Sequence, residues 1–293
     1  MALDHTDDLR LAHVLADDAD ALTGARFKAL DLHVMTKPDL TPVSDADQAV
    51  EEGIRRTLSR ARPRDAVLGE EQGSTGHSQR RWVVDPIDGT KNFVRGVPVW
   101  ATLISLMVDE EVVVGVVSAP QLNRRWWAMK DGGAWTGKSL LRATACQVSD
   151  VSRIEDASFA YSSLGGWEER GRLDDFLSLS RRCWRTRAYG DFWSYMLVAE
   201  GAVDIAAEPE LELYDMAALD VIVREAGGIF TSLEGEPGPT GGNALASNGK
   251  LHDQALAFLG QLDDNDPGAR PVQGGSVLDL ASRRRQTEEQ RGD

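Results

Sequence analysis

The sequence predicts a layered α/β fold, and three observations predict it. Apolar residues recur at helical spacing near the start, and extended apolar stretches between Trp82 and Met129 read as an antiparallel meander. From about Ser149 onward, helical and strand patterns alternate. At 293 residues the chain has room for one large domain, or for two modest ones with shared or separate cores.

The first helix is expected over 6–33, because Leu9, Ala12, Ala16, Ala19 and Leu22 fall on one face. Lys37, Pro38 and Pro42 break it into a loop. Ser44 then suits the N-cap of a second helix running to about Arg60, and Pro63 ends that region. Strands are expected over 82–84, 101–108 and 112–118, with a tight turn at 109–111 and a third meander strand at 125–129. Beyond 149–156 the pattern gives helices near 173–182 and 192–201 and a strand at 203–206. A helix over 214–226, a strand at 228–232 and a last helix near 250–262 follow. From Asp263 the residues are mostly Gly, Pro, Arg, Asp, Gln and Glu, a composition too polar to build a core. We therefore expect a disordered tail over 264–293, after an N-terminal α+β part over 1–147 and a C-terminal α/β part over 148–263.

Composition narrows the function. A net charge of −15 leaves no basic surplus for nucleic acid. No run of about 18 apolar residues is present, and the acidic start is unlike a secretory leader, so neither a membrane span nor export is expected. Cys146 and Cys183 make no disulfide framework, which fits a reducing cytoplasm. The five histidines have no zinc-ligand spacing, and no Gly-x-Ser-x-Gly elbow is present.

The chemistry is concentrated in Trp82-Val-Val-Asp85-Pro-Ile-Asp88-Gly-Thr90-Lys-Asn92. An apolar strand delivers two carboxylates, three residues apart, into a turn stiffened by Pro86, and Gly89 lets the backbone approach a ligand. Such a pair suits hard cations, which prefer oxygen ligands. Both aspartates also suit plain turn initiation. Gly69-Glu70-Glu71 is either a second acidic strand end or a surface pair. Asp47 stands where a capping box places its acid, and Asp215 in the first turn of a helix, where the helix dipole favours a carboxylate with or without metal.

Together, Gly69-Glu70-Glu71, Asp85-Pro-Ile-Asp88-Gly-Thr90 and Tyr214-Asp215 leading to Glu225-Ala-Gly-Gly228 resemble the inositol monophosphatase family, in order and in spacing, from about Leu9 to Leu262. The resemblance implies an alternating α-β-α-β-α sandwich of two subdomains. It implies that Glu70, Asp85, the Ile87 carbonyl, Asp88 and Asp215 hold up to three Mg²⁺ ions. Thr90 and Asp47, with Glu70, would orient and activate the attacking water, and the N–H groups of Gly89 and Thr90 would receive phosphate oxygens. The implied reaction is direct attack of metal-bound water on a phosphomonoester, with no phosphoenzyme. A homodimer is also implied. One departure is Tyr214, where the family usually has Trp; the ring is kept.

Rival signals are weaker. Gly132-Gly-Ala-Trp-Thr-Gly137-Lys138-Ser139 matches a P-loop, but no helical stripe follows it, so a turn in the meander is expected. Phosphatases with an aspartate nucleophile place two aspartates two residues apart, and Pro86 occupies that position here. A binding or regulatory protein that kept the fold would be expected to lack ligands, and every ligand is present.

By the same resemblance, substrate choice falls to the wall opposite the metals, built partly from 185–193 and 208–210. Asp191, Phe192 and Trp193 there suggest an acidic, aromatic surface suited to a cation. With Gly89-Thr-Lys91-Asn-Phe93-Val-Arg95-Gly-Val-Pro98-Val-Trp100, the pattern resembles the histidinol-phosphate phosphatases of actinobacteria. That resemblance implies dephosphorylation of histidinol phosphate in histidine biosynthesis, with Asp191 and Glu208 meeting the amine or imidazole. Arg187 would brace the phosphate or pair with Asp191. Asp191 also suits a plain helix cap. Inositol 1-phosphate and, more distantly, 3′-phosphoadenosine 5′-phosphate are the alternative substrates.

Overall fold

The structure, a computed structural model, describes residues 5–37 and 41–259. All of these lie within one compact unit, Met1–Gln261. The tail expected over 264–293 lies outside the described residues.

The chain begins with α1 (Thr6–Arg26), a hairpin of β1 (Val34–Thr36) and β2 (Pro42–Ser44), and α2 (Asp45–Ala61). Next come β3 (Ala66–Gly69), β4 (Gly73–Thr75), β5 (Arg80–Asp88) and the short α3 (Thr90–Arg95). The meander β6 (Ala101–Val108), β7 (Glu111–Ala119), β8 (Arg124–Met129), β9 (Ala134–Ser139) and β10 (Arg142–Ala145) completes an eight-stranded sheet among the described residues, in the order β10-β9-β8-β7-β6-β5-β3-β4. Its strands pair antiparallel except for the parallel pair β3 and β5. The remaining elements are β11 (Ser158–Ala160), α4 (Leu164–Glu169), α5 (Leu173–Ser180), β12 (Arg185–Arg187), α6 (Asp191–Ala199), β13 (Ile205–Glu208), α7 (Leu213–Glu225), β14 (Ile229–Thr231), β15 (Ala244–Ser247) and α8 (His252–Leu259). Their strands form a second sheet, β12-β11-β13-β15-β14.

Strand periodicity explains the layers. Along β5 and β6, Trp82, Val84, Ile104 and Leu106 face Leu15, Val50 and Ile54 of α1 and α2, while Val83, Leu103 and Met107 face the opposite way. That second face packs on α6 and α7, which also cover Ala206, Phe230 and Ala246 of the second sheet. The far side of that sheet buries Phe159 and Leu245 against Trp167, Phe176 and Leu259 of α4, α5 and α8. The result is the alternating α-β-α-β-α sandwich expected from the sequence.

Contact between α7 and β7 depends on Gly115. A Cβ there would lie 2.5 Å from Val221 Cγ1 and 2.9 Å from the Ala218 carbonyl oxygen. Gly115→Ala should therefore cost about 1–3 kcal/mol, read as a lowered thermal midpoint. An unchanged midpoint would mean that the helix does not rest on this strand.

Two local outcomes differ from the sequence reading. Helix α1 stops at Arg26 rather than near 33, because Phe27 leaves the helix in an extended conformation and its ring packs on Phe93 and Trp100, with centroids 5.5 and 5.6 Å away. The P-loop-like stretch lies largely in β9, paired with β8 and β10, so its backbone is committed to the sheet. Several short or polar strands (β1, β2, β4, β9 to β12 and β15) carried too little periodic signal to be expected, whereas β3 ends at Gly69, where the sequence offered a strand end.

Candidate active site

The strand ends and helix starts of both sheets meet at a cavity of about 600 Å³. Glu70, Asp88, Glu169, Asp191, Glu208, Glu210 and Asp215 line it, and Lys91 is the one basic residue among its described lining. An anionic substrate entering such a cavity needs added positive charge.

Strand β5 carries the acidic turn. Its pairing with β6 slips between Asp85 and Asp88, which turns both side chains toward the same end of the sheet. Asp85 Oδ1 accepts the Ile87 N–H at 2.9 Å, and Asp88 Oδ2 accepts the Phe192 N–H at 2.7 Å. Asp215, on the first turn of α7, accepts the Glu212 N–H at 2.7 Å in a capping box. Each carboxylate is thus fixed by one backbone donor, with its other oxygen not committed to the backbone. One ligand oxygen from each of the three lies within 4.8 Å of the others. The sequence offered capping and metal binding as rival roles for Asp215; in the fold, the cap is what aims the carboxylate.

This crowding has an electrostatic signature. Burial, then repulsion from Glu70, Asp88 and Asp215, drives the Asp85 carboxyl well above the usual carboxylate range. Asp88 is raised likewise by burial, Asp191 and Asp215, and burial lifts Asp215 to about 7. An all-oxygen donor set that repels itself in this way fits a hard divalent cation.

Glu70 follows β3 and lines the same cavity. Its loop is anchored by Glu51, fully buried on α2, which accepts the N–H groups of Glu71 and Gln72 at 2.7 and 3.1 Å. Lys37 Nζ sits 2.7 Å from both Glu70 Oε1 and Glu71 Oε1, a contact the sequence did not suggest.

Asp47 is fully buried and forms a capping box with Ser44, accepting its N–H and hydroxyl at 2.8 and 2.6 Å. The Thr90 hydroxyl stands 2.9 Å from the Ile87 carbonyl oxygen and 3.4 Å from Asp47 Oδ1. Burial raises the Asp47 carboxyl above its ordinary value. Gly89 and Thr90 open α3 at the cavity edge, Gly89 with a positive φ of 83°.

On the opposite wall, Asp191 starts α6 without capping it; Asp88 supplies the acceptor for that helix from the other sheet. Glu208, at the end of β13, is buried, and its Oε1 has no hydrogen-bond partner among the described residues. Burial, Asp191 and Asp215 together push its carboxyl well above the usual range. Arg187 lies apart from this cavity. It is exposed on β12, outside the cavity lining, and donates to the neighbouring Thr186 carbonyl at 2.7 Å. It makes no ion pair with Asp191 among the described residues, because the edge-strand register turns its side chain to solvent. Trp193 is also absent from the lining and packs on Tyr189, with centroids 5.5 Å apart.

A profile of the inositol monophosphatase family matches residues 9–262. The chain belongs to that family. Within it, the chain is 68% identical over 262 residues to the histidinol-phosphatase of Streptomyces coelicolor, covering 88% of this chain and 98% of that protein. It is 59% identical over 254 residues to the histidinol-phosphatase of Mycobacterium tuberculosis, covering 86% and 98%. Among solved structures, the extragenic suppressor protein suhB from Bartonella henselae superposes with a TM-score of 0.81 at 29% identity, covering 88% of this chain and 100% of that one. The family assignment thus agrees with the five layers and the acidic cavity.

Proposed function

We propose that the protein hydrolyses L-histidinol phosphate to L-histidinol and phosphate, with Mg²⁺ held by Glu70, Asp85, the Ile87 carbonyl, Asp88 and Asp215. The chain is a phosphoric monoester hydrolase of its family, and the substrate agrees with its similarity to two proteins named histidinol-phosphatase. The observation that carries the substrate is Glu208. A buried carboxylate oxygen without a partner is costly, and an ammonium or imidazolium group placed between Glu208 and Asp191 would relieve that cost.

The side chains divide the work. Gly89 and Thr90 present backbone N–H groups at a helix start, where phosphate oxygens are favoured. The Thr90 hydroxyl orients the attacking water, and Asp47, raised by burial, accepts its proton through that hydroxyl. The water oxygen bonds to phosphorus as the bond from phosphorus to the ester oxygen breaks, and the leaving alkoxide takes a proton from solvent. Bound Mg²⁺ supplies the positive charge that acidifies water and stabilises the leaving oxygen. Glu208 and Asp191 hold the amine end, so the ester points at the metal ligands. A homodimer in the cytoplasm completes this reading; among the described residues no helix is long and apolar enough to cross a membrane.

The test is phosphate release from histidinol phosphate, inositol 1-phosphate and 3′-phosphoadenosine 5′-phosphate, each with Mg²⁺ and with EDTA. Histidinol phosphate should lead in kcat/KM by about two orders of magnitude, and EDTA should abolish release. A preference for inositol 1-phosphate would keep the chemistry and discard the roles of Asp191 and Glu208.

A further inference from the structure

We propose that Asn92 is a specificity-determining positioning residue that sets the distance between the phosphate end of the cavity and its cation-recognising carboxylate by holding Asp191. The inference rests on the head-group role of Asp191 proposed above.

Asp191 needs holding. Its φ is 49°, in the left-handed region that non-glycine residues seldom occupy, and it follows Gly190 at φ 84°. Two groups pin its carboxylate. Asn92 Nδ2 donates to Asp191 Oδ2 at 3.0 Å, and the Ser162 hydroxyl donates to Oδ1 at 3.4 Å while accepting the Asp191 N–H at 3.4 Å. Asn92 lies two residues past Thr90 on α3, so the amide that holds Asp191 grows from the helix whose start faces the phosphate. The link crosses from the first sheet to the helix layer serving the second, 99 residues away.

The amide's orientation is settled by its neighbours. Asn92 Nδ2 also donates to the Val99 carbonyl at 2.9 Å, so both of its partners are acceptors and the nitrogen must face them. Both amide hydrogens are thereby used. The approach is close: a Cβ on Gly89 would lie 3.2 Å from Asp191 Oδ2 and 3.1 Å from the Val99 oxygen. Glycine at 89 therefore serves the carboxylate's seat as well as the turn. Chemically, a neutral donor fits the task. Lys91, lining the same cavity, already bears on Asp191 electrostatically, and the neutral amide of Asn92 fixes the carboxylate without adding a second positive charge.

The plain competing role for Asn92 is to tie the 92–99 loop, since its carbonyl accepts the Val97 N–H at 2.9 Å and its side chain reaches Val99. Substrate selectivity separates the two. Asn92→Ala, Asp191→Ala and the double variant would be assayed with L-histidinol phosphate and with p-nitrophenyl phosphate, which carries no cation. Asn92→Ala should lower the ratio of the two kcat/KM values about tenfold, mainly through KM for histidinol phosphate, and should lower it no further in the Asp191→Ala background. Should Asn92→Ala fail to fold, Asn92→Gln, which displaces the amide by one methylene, should lower the ratio in the same way. Equal losses on both substrates, or a loss that adds in full to that of Asp191→Ala, would overturn the link. If Asp191→Ala alone leaves the ratio unchanged, the head-group role itself falls and the link with it. If Asp191→Ala lowers the ratio and Asn92→Ala does not, only the link is lost.

Discussion

Asp88→Asn should abolish turnover while raising the thermal midpoint of the metal-free protein. The variant keeps an oxygen to accept the Phe192 N–H, so the register between the acidic turn and α6 is retained. It removes one negative charge from a wall where Asp191, Asp215 and Glu208 all repel Asp88. Relief of that repulsion stabilises the folded state in the absence of cation. Loss of a ligand charge should cost several kcal/mol of transition-state stabilisation, so kcat should fall by about a thousandfold or more. Mg²⁺ should raise the midpoint of the wild type and do so far less in the variant. Near wild-type turnover by Asp88→Asn would sink the metal assignment.

The second large effect is a pH dependence that reverses the common trend. Asp85, Asp88, Asp215 and Glu208 are all raised in the folded protein, Asp215 to about 7. A carboxyl raised on folding binds its proton more tightly in the native state. Stability is therefore lost progressively as the pH rises from the ordinary value near 4 through the folded value, and for Asp215 that loss is nearly complete above about 7. Two histidines oppose this at lower pH. His13, lowered to about 4 by burial and Arg125, and His252, lowered by burial, resist protonation in the fold and destabilise it as the pH drops below about 6.5. Asp8 is held below its ordinary value by Arg80 and Arg62 against the opposing effect of burial, and its contribution is lost only in stronger acid. Between pH 8.5 and 6.5 the raised carboxyls dominate; burial also lifts Glu71 to about 7, and the Cys146 and Cys183 thiols, pushed up by burial to about 12, add to the same trend. In EDTA the midpoint should rise by about 5 °C on acidification across that window, and saturating Mg²⁺ should flatten or invert the slope. A midpoint that falls on acidification in EDTA would show that these carboxylates do not repel one another as placed.

Much of this site was legible in the sequence because its parts are also local structural signals. Ser44 with Asp47 reads as a capping box, and the fold contains that box. Asp215 reads as a first-turn acid and caps α7. The turn from Asp85 to Gly89 declares itself through Pro86 and Gly89 at the end of an apolar strand. Local backbone preference and family resemblance thus named the acidic residues before any fold was known.

What the sequence by itself determined was the strand that delivers Asp85 and Asp88, the helix starts that aim Asp47 and Asp215, and the alternation that assigns each strand face to a layer. These follow from capping, turn chemistry and a side-chain period of two, all set within a few residues. Only the tertiary structure decided that Asp88 caps α6 from another sheet, that Lys37 reaches Glu70, and that Asn92 grips Asp191 across 99 positions. It likewise left Arg187 in solvent and Glu208 buried with one carboxylate oxygen unpaired among the described residues. Those outcomes depend on how two sheets stack through a shared helix layer, a relation fixed by packing between distant segments that leaves no periodic trace in either of them.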